Sequence, residues 1–172
     1  GINRSPSNIM SIETSIGTIK GDVVVNAAGA WAAEIASFAG EILPVKPLKR
    51  QVCRIKQKNT LPDNTPMTIW VDTAFHFRMR DEHLILLIPD EPENKNDITV
   101  ESGWLEKVFS IGKNKIPALK DCSIDTAGSW AGYYEVSPDE HMILGKAESL
   151  NNFYYSNGSS GHGVMHSPAV GE

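Results

Sequence analysis

The sequence predicts a mixed protein, α+β or α/β in class, in which an antiparallel-rich mixed sheet carries helices. Three observations lead there. Asp22-Val23-Val24-Val25-Asn26 is a β-branched run that breaks at Ala27-Ala28-Gly29 into an alanine-rich segment, the order strand, tight turn, helix. Between Lys49 and Ile88, polar and apolar residues alternate in short stretches separated by turn formers, as antiparallel strands do. Val100–Lys113 sets Trp104, Leu105, Val108 and Ile111 on one helical stripe.

Taken in order, Ile9–Ile19 reads as a hairpin with its turn at Gly17, feeding the strand that ends at Asn26. Ala30–Ala39 has helical alanine content and is stopped by Gly40. Pro44 and Pro47 bound a connector, and Lys49–Gln57 then predicts a half-exposed strand. Asn59–Pro66 is a loop by its Asn, Pro and Asp content. Strands follow over Thr68–Val71, Ala74–Met79 and His83–Ile88, the last two joined through Asp81-Glu82. An acidic, proline-bearing surface loop covers Pro89–Asp97, and Pro117 helps to end the amphipathic helix. Ser123–Val136 returns as a strand with Trp and Tyr, then turns at Ser137-Pro138-Asp139. Met142–Leu144 and Phe153–Ser156 are short strands, and Asn157–Gly163 is a glycine-rich loop.

Composition narrows the function. Sixteen basic against 21 acidic residues give a net charge of −5, the wrong sign for a nucleic-acid binder that works by counterion release. No apolar run approaches the ~18 residues of a membrane span, and Gly1-Ile2-Asn3-Arg4-Ser5-Pro6 does not read as a signal peptide. The first residue is Gly rather than Met, which points to a piece of a longer chain. Cys53 and Cys122 form neither a metal motif nor a dense disulfide framework, so a reducing, cytoplasmic setting is expected.

The densest chemical signal is Gly158-Ser159-Ser160-Gly161-His162-Gly163. Its glycines let backbone approach a ligand, and successive N–H groups form an anion-binding concavity; the plainer reading is a turn. His162 and His166 have zinc-like spacing, but Gly163 stands where a metalloprotease helix carries Glu, and Gly161, Gly163 and Pro168 argue against a helix there, so no metal is expected. Ser160 fails the nucleophile-elbow pattern because His162 replaces its second glycine. Trp130, Tyr133 and Tyr134 either pack a sheet or wall a pocket; Arg78 is either a solvated charge or a carboxylate clamp.

Five segments in order resemble the glycine/sarcosine oxidase-like FAD-dependent amine oxidoreductases of the D-amino-acid oxidase superfamily. They are Asp22–Trp31, Pro44–Gln51, Phe75–Arg78 with Leu84–Ile88, Trp130–Asp139 and Phe153–Glu172. The stretch is similar to the C-terminal portion of such an enzyme, without the N-terminal Rossmann unit and its G-x-G-x-x-G, and clipped before the family's closing helix. Ser159 replaces an aromatic common in the closing loop.

The resemblance implies residues 1–43 as part of an FAD-binding domain, 44–136 as an antiparallel substrate platform, and 137–172 as the return to the FAD domain. It implies FAD as cofactor, with Ala28 and Gly29 against the nucleotide and Gly158, Gly161, His162, Gly163, Val164 and Met165 at the flavin. Arg78, Tyr133 and Tyr134 would hold the substrate carboxylate. The implied activity is oxidation of a secondary amine or amino acid of the sarcosine, glycine or proline type by hydride transfer, with no catalytic base assigned. The implied partners are that small substrate, the missing N-terminal half, and a partner subunit or electron acceptor. The competing expectations are a non-catalytic remnant serving subunit interaction, and a glycerol-3-phosphate-type flavoenzyme on the same scaffold.

Overall fold

A computed structural model of the chain describes residues 1–89 and 97–172. The loop expected over Pro89–Asp97 therefore lies, apart from its end residues, outside the described residues. The chain divides into two compact units, one formed by Gly1–Leu48 with Tyr134–Glu172, the other by Lys49–Tyr133.

In the first unit, β1 (Ile2–Arg4), β2 (Ile9–Thr14) and β3 (Gly17–Ile19) make an antiparallel sheet in that order. The hairpin was legible; β1 was not. A second sheet has the order β10 (Ile143–Lys146), β11 (Phe153–Asn157), β4 (Val24–Asn26), with β11 antiparallel to β10 and parallel to β4. After β4 a short 3-10 turn (Gly29–Trp31) leads into α1 (Ala32–Phe38). That helix buries Ala32 and Ala36, small enough to bring it close to its neighbours Leu43 and Val45. It ends as a Schellman motif: Gly40, at φ +74°, donates to Ser37 O and Glu41 donates to Ala36 O.

The second unit holds a mixed-order sheet, β6-β7-β8-β5-β9, from β5 (Lys46–Lys58), β6 (Thr68–Ile69), β7 (His76–Arg80), β8 (His83–Leu87) and β9 (Trp130–Val136). β7 and β8 close on Asp81 and Glu82, both left-handed (φ +50° and +65°), the twist a two-residue hairpin demands. One face of this sheet offers Cys53, Ile55, Phe77, Leu84 and Leu86 to α2 (Ser102–Lys115), which answers with Trp104, Leu105, Val108 and Phe109. Phe109 takes the place expected of Ile111 on the fully buried stripe, and Ile111 is only partly buried.

Two expectations need correction. The strand predicted over Ser123–Val136 begins only at Trp130, because Asp125 starts a turn in which its carboxylate accepts from Gly128 N. The alternation in β5 does not keep its charges outside either. Lys49 and Gln51 share the face of Cys53 and Ile55, and both are buried. They clasp Glu101, the residue capping α2. Lys49 Nζ lies 2.9 Å from Oε1, Gln51 Nε2 donates to Oε2 at 3.3 Å, and Glu101 N donates to Gln51 Oε1 at 2.8 Å. Buried charge is tolerated there because it is paired.

Candidate functional site

Parallel strands emit their following loops from the same sheet edge, the edge where open α/β sheets take ligands. β4 and β11 run parallel with Asn26 opposite Tyr155, so Ala27–Ala30 and Gly158–His162 leave side by side. Asn26 staples the first loop: its Nδ2 donates to Ala32 O and its Oδ1 accepts from Ala28 N. Gly29 sits at φ +57° with open space where a Cβ would be.

The second loop is fixed by β9. Ser160 N donates to Glu135 O, Val136 bridges to Ser159, and Ser137 Oγ donates to His141 O. Gly158 (φ +74°), Ser160 (φ +49°) and Gly161 (φ +92°) are all left-handed, and a Cβ on Gly161 would lie 2.7 Å from Cε2 of Tyr134. Among the described residues the N–H groups of Gly161, Gly163 and Val164 meet no acceptor. Asn157, fully buried just before the loop, has neither side-chain polar atom hydrogen-bonded among the described residues.

The chain then enters α3 (Gly163–Val170), which corrects the expectation that Gly161, Gly163 and Pro168 forbid a helix here. Proline removes the N–H that would have reached Val164 O, and the Ser167 hydroxyl donates to that carbonyl at 3.0 Å instead. His162 and His166 stack, with ring centroids 5.9 Å apart. They line an open depression of about 760 Å³ with Asp139, His141, Met142 and Leu144. Tyr155, opposite Asn26, has its phenol pushed up to about 12 by burial and by the Glu41 carboxylate it faces.

Of the residues singled out from sequence, Ala28 and Gly29 thus share an edge with Gly158, Gly161, His162, Gly163, Val164 and Met165. Val164 and Met165 are exposed there, the former 91%. Tyr134 rests against Gly161. Arg78 and Tyr133 belong to the other unit. Arg78 pairs with Ile85 on the sheet face away from α2; it is exposed and makes no ion pair among the described residues.

Cβ-less backbone, unmet N–H donors and an orphaned buried amide suit a planar, acceptor-rich ring system such as a flavin. The FAD dependent oxidoreductase family matches residues 1–172. The chain belongs to this family. Its members are FAD-dependent oxidoreductases, and FAD is the cofactor of the family. The chain is 31% identical over 171 residues to FAD-dependent oxidoreductase domain-containing protein 1 of Xenopus laevis, covering 90% of this chain and 34% of that protein. It is 28% identical to a glycine oxidase of Pseudomonas aeruginosa, over 96% of this chain and 44% of that one. L-proline dehydrogenase from P. horikoshii superposes with a TM-score of 0.85 at 34% identity, covering all of this chain and 46% of that one. The chain thus spans between a third and a half of the length of these relatives. Among the described residues no helix is long and apolar enough to cross a membrane.

The residue that sequence reasoning missed is Asn157. Asn157 carries no motif.

Proposed function

We propose that this chain contributes the flavin loop and the substrate platform of an FAD-dependent oxidoreductase acting on a secondary amine or amino acid of the sarcosine, glycine or proline type. The observation that carries the reading is the shared edge of β4 and β11, where two small-residue loops present backbone without side chains. Residues 1–43 and 137–172 would serve the FAD domain and 44–136 the platform. When bound, FAD supplies a two-electron acceptor, so that the C–H bond beside the amine nitrogen is broken by hydride transfer and the imine is hydrolysed by water.

The chain's own residues orient and stabilise. Ala28 and Gly29 admit the nucleotide closely because neither projects bulk into the edge. The N–H groups of Gly161, Gly163 and Val164 are fixed donors for negative charge, and being preorganised they need no rearrangement as charge develops. His162 and Met165 flank them, and Gly158 sets the turn. Arg78, with Tyr133 and Tyr134, would hold the substrate carboxylate.

The test is Gly163→Val in the full-length protein, where even a Cβ meets Ser159 Cβ at 3.0 Å. The expected product is folded protein with reduced flavin content; normal flavin content and turnover would reduce the loop to a plain turn. Arg78→Met should weaken N-methylglycine or proline about ten- to a hundredfold while sparing an uncharged amine. Equal effects on both would return Arg78 to the solvated face.

A further inference from the structure

The sheet face of the second unit that α2 leaves uncovered carries an unusual set of side chains. Arg54 pairs across β8 with Ile85, and Arg80 with His83, so these four point the same way. β8 and β5 lie between β7 and β9, yet Arg80 spans them: its Cζ sits 5.4 Å from the ring centroid of Trp130 on β9. Beneath this bridge is a pocket of about 220 Å³ lined by Arg54, Arg80, Asp81, Ile85, Gly128 and Trp130.

Arg54 is held in place by two partners. Its Nε and Nη2 donate to Asp125 Oδ2 at 2.9 and 2.5 Å, and its backbone N donates to Ser129 Oγ at 3.0 Å. Asp125 is fixed in turn by Gly128 N on Oδ1 and by Ser129 Oγ on its carbonyl. A Cβ on Gly128 would stand 1.9 Å from Nη2, so the guanidinium lies directly over a position that only glycine can fill. Nη1 is uncommitted among the described residues, leaving donors for a ligand. Arg80 is steadied by the indole face and by Asp81 at 3.6 Å.

We infer that this pocket is a subsite for a small monoanionic carboxylate, gripped between Arg54 and Arg80 and stacked beside Trp130. Two guanidinium groups supply the planar donors that a carboxylate matches. Asp125 and Asp81 balance the two arginines, so an anion is held by directed N–H donors rather than by net charge, and a phosphate dianion meets more repulsion from the two carboxylates than a carboxylate does. The small volume admits a group of a few atoms. The assignment stands on the second unit alone and does not rest on the flavin reading.

Trp130 provides a readout that ignores flavin. The full-length protein would be labelled with 5-fluorotryptophan, and the Trp130 fluorine resonance assigned by Trp130→Phe. Titrations with acetate, methylammonium and inorganic phosphate would follow. Acetate should move the resonance saturably, methylammonium should not, and phosphate should bind more weakly than acetate. Arg80→Gln, at a half-exposed position whose loss the fold tolerates, should weaken acetate about ten- to a hundredfold with flavin absorbance unchanged. Arg54→Gln should do the same. No saturable shift with acetate, an equal shift in Arg80→Gln, or tighter binding of phosphate would each overturn the inference. Wild-type protein that binds no flavin yet gives the saturable acetate response would instead count against the flavin reading alone.

Discussion

Replacing Gly161 by alanine tests whether the closing loop is a preformed cradle. Gly161 sits at φ +92°, where an L-residue costs about 1–2 kcal/mol. The new Cβ would also meet Tyr134 at 2.7 Å from Cε2 and 3.1 Å from Cδ2, contacts that force the ring aside. Tyr134 is 43% exposed and can swing away at roughly the cost of an off-rotamer χ, about 1 kcal/mol. In the variant, the unliganded loop relieves both penalties by leaving the preformed conformation, and binding re-imposes them. The sum, about 2–3 kcal/mol, predicts flavin affinity about 30- to 150-fold weaker. Fluorescence titration of flavin-stripped full-length protein measures it. Tyr134→Ser in the same background should recover the ring's share, several-fold, and leave the backbone share. Affinity within twofold of wild type for Gly161→Ala would refute the cradle. So would full recovery in the double variant, which would show that φ carries no cost.

Leu86, fully buried and paired with both Cys53 and Phe77, packs against the place where α2 has only Gly112. Leu86→Ala should cost about 2–5 kcal/mol in urea unfolding, with flavin content unchanged at saturating flavin. The Arg54 guanidinium hydrogen-bonded to Asp125 holds that carboxyl below its ordinary 3.8. Its stabilisation is therefore full above pH 3.8 and is lost as pH falls through the lowered folded value. Asp125→Asn should flatten the acid limb of stability against pH, and an unchanged limb would mean that the pair contributes nothing.

Much of the fold was legible because local chemistry decided it. The β-branched run through Val24 and Val25 made β4, Gly40 could take the left-handed stop of α1, and α2 announced itself by its stripe. The failures share a physical cause: the deciding partner was distant in sequence or was a side chain standing in for backbone. Lys49 and Gln51 are buried because Glu101, some 50 residues on, satisfies them. α3 forms across Pro168 because the Ser167 hydroxyl takes the bereft carbonyl. The turn at Asp125–Gly128 did have a signal, an Asp followed three residues later by Gly, which the Trp and Tyr content downstream obscured. The left-handed turns of the glycine loop were legible because glycine is informative where φ is positive. The Arg54–Arg80 pocket was not, since it needs the strand order β7-β8-β5-β9 to be known before the side chains can be seen to meet.

The pairing of Phe153 with Val24 also has a consequence for biosynthesis. A ribosome delivers β4 early, then the entire Lys49–Tyr133 segment, and only afterwards the strand that pairs with it. Closing so long a loop adds little to the thermodynamic cost, which grows only logarithmically. It does order events in time, since hairpins such as β7–β8 form from near neighbours and need not wait. A nascent chain stalled short of Phe153 would own a finished β7–β8 hairpin and an unpaired β4. On the proposed reading of this edge, flavin uptake waits for β11 to emerge, and chains terminated before Phe153 take up none.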